Sequence, residues 1–451
     1  VYTRFLVTSE VGILALLEMV EQFLITIAPM GVINAVWRYL PDSNDRDREK
    51  IIISAYLGTL IVNVLILILM GANFKSIGIF FGLDESNATM LLVVFMNIFL
   101  ALGIRFMLSL WQYNRQPLPY IILSLIQFVG VVLFTILFVV FKGWGLWGVL
   151  LAKSLVFGLI FIYSGFVIFR KYWSLPCISV YFKLLKYGFP LILLAIVTPI
   201  LTVSDRFFLN LFVTLDDIGI YSISYKFGML INIFIVIPLQ RGWGPMMYRL
   251  GVEEKSHEFY RDIMFYYAVI GSLIFLLTSF FIDDILRVIA TPEYLTGAFI
   301  IPIVTFAYFI NGFRIFFAAG AALKDKTPRL ALAAFIAICT NLFLNYLFIK
   351  SYGMIGAAWA TFLSYTVLTL TIYIASQRLV RINWAWPRLI KLISITLIIF
   401  ILISQFQSQY KELSIVLGLV GIILFVILIV ITGIIGNREI NGIKSILSSI
   451  K

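Results

Sequence analysis

The chain has 451 residues, of which 62% are hydrophobic and 12% charged, whereas a soluble domain averages about 45–50% apolar and about 25% charged. These proportions define an integral membrane protein, and at roughly 20 residues per spanning helix they leave no room for a large soluble domain. The formal charge of +12 would suggest nucleic acid in a soluble protein, but here basic residues must first be set against membrane topology. One His and two Cys exclude a His-based zinc motif, a CxxC redox pair and a disulfide framework.

Thirteen apolar stretches of spanning length follow one another: 11–31, 51–71, 89–110, 119–140, 146–169, 187–212, 219–240, 263–282, 295–319, 330–349, 354–376, 389–406 and 414–435. The polar segments between them are short, the longest being 241–262. If 11–31 runs from outside to inside, the inner loops and helix ends collect 25 of the 34 Lys and Arg. The outer side holds six: Arg4, Lys75, Lys142, Arg287, Lys350 and Lys411. The positive-inside rule then predicts a multi-pass protein of the plasma membrane whose tail, with Arg438, Lys444 and Lys451, is cytoplasmic. Topology thus absorbs the excess charge, and no nucleic acid partner is expected.

The halves repeat. Arg105 is followed by Arg115 and Pro119 at the spacings that separate Arg314 from Lys324 and Pro328. "FKGWGLWG" at 141–148 matches "IKSYGMIG" at 349–356, pairing Gly145 with Gly353 and Gly148 with Gly356, and "SEVGILA" at 9–15 matches "DDIGIYS" at 216–222, pairing Gly12 with Gly219. Three anchors in one order at offsets of 207 to 209 indicate duplication of a six-helix unit. The predicted fold is an all-α polytopic membrane protein of two pseudo-symmetric six-helix lobes plus two C-terminal helices. Its segments are an N-terminal lobe at 1–180, a C-terminal lobe at 181–380, and an extra helix pair with a tail at 381–451. The second-half span 187–212 has its counterpart before residue 5, so the expectation is fourteen helices in the intact protein, thirteen of them complete here.

"YTRFLVTSEVGILALLEMVEQFLI", ending in the elbow "AVWRYLPD", resembles the second-helix region of polysaccharide flippases in the multidrug/oligosaccharidyl-lipid/polysaccharide exporter superfamily. "KYGFPLILLAIVTPILTVSDRFFLNLFVTLDDIGIYSISYKFG" at 186–228 is similar to their seventh and eighth helices. The resemblance covers essentially the whole chain. It implies two lobes around a central cavity, alternating access, and export of an undecaprenyl-diphosphate-linked oligosaccharide from the inner to the outer leaflet for polysaccharide synthesis. It implies no enzyme activity and no cofactor, a proton or sodium ion being left as the coupling ion. The partners to expect are the bilayer, the lipid-linked cargo and the polymerase machinery, around a monomer. The matching motifs are structural, so they specify the family better than the cargo.

Ionisable groups inside spans cost about 2.5–3.5 kcal/mol each on insertion scales and suggest function by default. Glu18, Glu21, Lys153, Lys226, Asp205 and Arg206 share one depth, about 10 Å below the outer surface at 1.5 Å per helical residue. Two readings apply. In one, the groups form ion pairs that hold the bundle together. In the other, Arg206 and Lys226, with Lys153, line a diphosphate site, and Glu18, Glu21 or Asp205 meets these cations as a gate or binds a coupling ion. Lys153 also suits a snorkelling position. Nearer the inner mouth stand Arg38, Arg105, Arg241 and Arg314, which positive-inside placement explains and which could also capture a lipid diphosphate first. Pro29, Pro190, Pro199, Pro238 and Pro302 interrupt apolar helices.

Three function classes compete: a lipid-linked oligosaccharide flippase, a cation-coupled multidrug exporter of the same superfamily, and a membrane enzyme. The short outer loops disfavour the enzyme. Cavity charge separates the other two, since organic cations avoid Lys153, Arg206 and Lys226 while a diphosphate seeks them. The topology is checked by single-cysteine labelling with an impermeant reagent: a cysteine at Ser86 is labelled in intact cells and one at Ser43 only after permeabilisation. The reverse pattern inverts the orientation.

Overall fold

In the computed structural model the described residues are 2–251 and 254–434, and among them every regular element is a helix. Glu253 and the tail residues Arg438, Lys444 and Lys451 lie outside the described residues. Eleven helices are long and apolar enough to cross a membrane, and two observations reconcile that number with the thirteen apolar stretches. Thr327–Gln377 is a run of 51 residues broken at Gly353, whose φ of 56° and ψ of −132° are not helical. Unbroken, it would be about 76 Å long, far beyond a hydrocarbon core of about 30 Å. It therefore holds two spans, 330–349 and 354–376. The stretch 187–212 is helical in pieces, Phe189–Leu191, Ile192–Ala195 and Val197–Phe212. Pro190 lacks the N–H a continuous helix needs and falls in the first of these pieces.

The polar segment 241–262, expected as the longest loop, is mostly helical. Ile237–Leu250 continues through its charges to Gly251, whose φ is 68°, and a helix resumes over Glu254–Ile289. The Tyr260 hydroxyl closes the bend by donating to the carbonyls of Met247 and Gly251, and Ser256 donates to that of Leu250. Charged residues at a span's end keep the helix going because water solvates their side chains there.

The chain divides into two compact units, Val1–Ser222 and Ile223–Lys451. The first runs past the repeat boundary near 180, because Val197–Phe212 packs on Thr8–Ile27. Duplication marks ancestry, whereas the compact unit marks packing. Backbone conformations follow the repeat closely: Gly145 and Gly353 have φ of 51° and 56°, and Arg115 and Asp325, the latter one residue past Arg115's repeat equivalent Lys324, have φ of 53° and 55° in the turns before Pro117 and Thr327.

Inside the first unit the repeat-equivalent glycines meet. A Cβ on Gly12 would lie 2.0 Å from the Leu215 carbonyl oxygen, and one on Gly219 would lie 2.0 Å from that of Thr8. Thr8 and Leu215 are themselves 207 residues apart, so each partner does to the other what is done to it, the pattern of a local two-fold. Without hydrocarbon to expel, helices in lipid associate by close backbone approach, and glycine permits it. The Thr8 hydroxyl adds a hydrogen bond to the Asp216 carboxylate at the same crossing. Either Gly12→Ala or Gly219→Ala is expected to lower the thermal midpoint of the purified chain, by about 1–3 kcal/mol of stability. Gly158→Ala, where a Cβ would meet nothing within 4 Å, is the control and leaves the midpoint unchanged.

Candidate functional site

In the first unit the charges within the spans are matched locally. Glu21, on Thr8–Ile27, receives Lys153, on Gly145–Lys171, at 2.6 and 2.5 Å from its two oxygens. Their side chains are 14% and 26% exposed, so the pair is shielded without being dry. The Lys153 ammonium also lies 5.5 Å from the Phe157 ring. Of the cations expected to meet it, Arg206, Lys226 and Lys153, Glu21 pairs with Lys153, because Gly145–Lys171 packs beside Thr8–Ile27 in the same unit. Glu18 is half-buried on the same helix.

Asp205 and Arg206 are both buried. One Asp205 oxygen accepts from the Arg206 Nη1 at 2.6 Å and from the Arg206 backbone N–H at 2.9 Å, and the other accepts from the Tyr221 hydroxyl. Nη1 also donates to the Thr202 carbonyl, and the guanidinium stands 5.5 Å from the Tyr221 ring centre. Arg206 is therefore compensated by its own neighbour in sequence. On the same helix the Thr202 hydroxyl accepts from Gln22, linking it to the helix of Glu21.

Arg105 is spent on backbone. Its Nη1 donates at 2.9 Å to the carbonyl of Ile25, and the Glu21 carboxylate acts on it electrostatically. Arg38 is an exposed residue paired with Asp42 at 3.0 Å, a contact worth about 0–1 kcal/mol. None of these four arginine and lysine arrangements leaves a cation without an acceptor.

The second unit differs. Arg314, on Ile300–Phe317, is half-buried, and its side-chain hydrogen bonds go to neutral oxygens, Asn311 Oδ1 at 2.9 Å and Gln240 Oε1 at 3.5 Å. Among the described residues no carboxylate lies within ion-pair distance of it. Tyr267 and Tyr365 lie within its electrostatic reach. Behind them the hydroxyls of Tyr225 and Tyr308 are 2.8 Å apart, and Tyr267 donates to the Phe309 carbonyl. A planar fork whose partners are two neutral amide oxygens can receive an oxyanion without first losing a carboxylate. Arg241 is exposed next to Gln240, and Lys226 is half-buried next to Tyr225.

Residues 1–251 match the family described as polysaccharide biosynthesis protein. The chain belongs to that family. In fold it is similar to the lipid II flippase MurJ in an inward closed conformation, with a TM-score of 0.69 at 16% identity over 93% of this chain and 96% of that one. An inward-facing multidrug resistance MATE transporter of the MOP superfamily superposes with a TM-score of 0.71 at 12% identity over 84% and 92% of the two chains. A mutant form of the Vibrio cholerae MATE transporter VcmN gives 0.57 at 15% identity over 82% and 94%. No curated protein sequence matches the chain. The fold it shares with these structures is that of multi-pass helical membrane proteins.

A pocket of about 420 Å³ on the first unit, lined by Trp111, Pro119, Leu123, Ile160 and Tyr163 among others, has no charged lining residue and offers an anion nothing to bind. What residue-by-residue reading missed in this family member is the division of labour among its arginines. The signal lay in the acids: the first half has Glu18 and Glu21, while the equivalent positions 225–230 read Tyr-Lys-Phe-Gly-Met-Leu. Glu21→Lys or Lys153→Glu alone is expected to cost about 1–3 kcal/mol, between the values for exposed and buried pairs. The exchange of both restores the thermal midpoint toward that of the parent, which a double-mutant cycle measures.

Proposed function

We propose that the protein flips an undecaprenyl-diphosphate-linked oligosaccharide from the cytoplasmic to the outer leaflet by alternating access, supplying repeat units for a surface polysaccharide. The reading is carried by Arg314, a half-buried cation whose hydrogen-bond partners are all neutral. A buried charge is costly unless something offsets it, and a diphosphate passing the site supplies that offset while it is there. Its planar donors fit phosphate oxygens two at a time. Lys226 and Arg241, on the elements that flank Tyr225 and Gln240, extend the positive character of the same unit. The family's description as polysaccharide biosynthesis protein and the fold shared with MurJ, a lipid II flippase, support a lipid-linked saccharide as cargo. Lys153, Arg206, Arg105 and Arg38 then serve as compensated charges of the pathway wall. Glu18, Glu21 and Asp205 balance these cations and are the candidates for a coupling proton or sodium ion. The C-terminus is cytoplasmic in this scheme.

The second reading is a cation-coupled multidrug exporter, favoured by the shared fold of MATE transporters and by the shielded Glu21 and Asp205. Arg314→Gln is expected to lower polymer production about tenfold or more at normal membrane abundance, as the loss of a charge-assisted hydrogen bond of about 1.5–3 kcal/mol predicts. Arg314→Lys retains part of it. Unchanged polymer in Arg314→Gln rejects the site. Efflux of an organic cation that depends on Glu21 or Asp205 favours the second reading.

A further inference from the structure

Pro29 and Arg105 are 76 residues apart, and so are Pro238 and Arg314. The duplicated halves therefore carry one proline and one arginine in the same relation, and the two pairs do different things. In a helix the carbonyl of residue i accepts the N–H of residue i+4, so Ile25 depends on residue 29, and Pro29 has no N–H to give. The neighbouring N–H groups are engaged elsewhere: Ala28 bonds to the Leu24 carbonyl, Met30 to that of Ile27, and Val32 to that of Pro29. The acceptor left at Ile25 is filled by Arg105. The next carbonyl in need, that of Ala28, is filled by Asn63 Nδ2 at 2.8 Å. Beyond them the chain turns through Met30 and Gly31, with φ of 48° and 69°, and a Cβ on Gly31 would lie 2.0 Å from the Gly188 carbonyl oxygen.

In the second half the residues before Pro238 wind instead as a π segment, Asn232–Val236, and the Ile237 N–H reaches back to Asn232. Arg314 bonds there to side chains and to no backbone carbonyl.

We infer that Arg105 is a positioning residue of the transporter: it caps the carbonyl that Pro29 frees and so holds the helix elbow at 28–31, leaving its repeat equivalent Arg314 as the arginine open to an anion. The reasoning needs no particular cargo. Arg105 is exposed and Ile25 half-buried, so the contact sits at the edge of the apolar layer, where a carbonyl that no helix N–H serves still gains from a donor held in place. A guanidinium is long enough to cross from a neighbouring helix and has five donors, and one of them is placed on Ile25. Glu21 stabilises the charge that must be brought to this depth to do so. The alternative role, first contact for the cargo's phosphates, is what charge pattern alone would assign to both arginines.

The two roles are separated by restoring the missing N–H. Arg105→Ala, Pro29→Ala and the double variant are compared in the full chain by membrane abundance, thermal midpoint of the purified protein without added ligand, and polymer production in cells lacking their own copy. Arg105→Ala is expected to lower the midpoint and to reduce polymer production several-fold, up to about tenfold, as the loss of one charge-assisted hydrogen bond to a half-buried carbonyl predicts. In the double variant the residue-29 N–H serves Ile25, and both readouts recover most of the loss. Arg105→Lys, with a shorter reach to the carbonyl, falls between. Pro29→Ala gives no such recovery to Arg314→Gln. If Arg105→Ala prevents insertion, recovery of abundance in the double variant is the supporting result. The inference is overturned if Arg105→Ala leaves the midpoint unchanged, or if its defect is the same with Pro or Ala at position 29. The Arg314 reading is judged separately by Arg314→Gln, so either can fail alone.

Discussion

A backbone carbonyl inside a bilayer must find its donor within the protein, and proline removes the donor the helix would have supplied. The first unit meets this demand with side chains borrowed from neighbouring helices, Arg105 on Ile25 and Asn63 on Ala28. Each satisfied carbonyl is also a tie between helices, so the Thr8–Ile27 helix is fastened at its C-terminal end to Asp45–Ala72 and Met90–Tyr113 by the repair of its own break. Its other end is fixed by the reciprocal contact of Gly12 and Gly219 and by Thr8 on Asp216. The helix that carries Glu18 and Glu21 is thus held at both ends by backbone contacts, which sets the position of its carboxylates.

That fixed position explains why charge is balanced so locally in the first unit. Glu21 stands where Lys153 can reach both its oxygens, and Asp205 neutralises the arginine next to it in sequence. The second half has kept the arginine of the pair, Arg314, but 208 residues beyond Lys153 stands Thr361, and the acids at 18 and 21 have no acidic counterpart at 225–230. Divergence after duplication has separated carboxylate-paired cations from an arginine held by neutral side chains. An anion is attracted where positive charge is not already cancelled.

The same economy appears in the glycines. Gly12 and Gly219 were visible as anchors of the repeat, and Gly145 and Gly353 as matching positions in two loops. Their reasons differ: the first pair permits backbone to touch backbone, and the second takes φ of 51° and 56° where a helix must restart after a turn.

The sequence by itself determined the membrane class and the all-helical fold, and it displayed the apolar stretches, the repeat and the spacing of ionisable groups along them, because hydropathy and spacing along a helix are one-dimensional. It also displayed the equal spacing of Pro29 to Arg105 and Pro238 to Arg314. Only the tertiary structure decided who meets whom at a given height. Glu21 took Lys153, Arg105 took a carbonyl, and Arg314 took two neutral side chains. Partner choice depends on which helices are neighbours and how they are rotated, and a chain's local pattern records neither. The first compact unit extended to Ser222 for the same reason: packing at the Gly12 crossing binds Leu215–Ser222 to a helix 200 residues earlier in the chain.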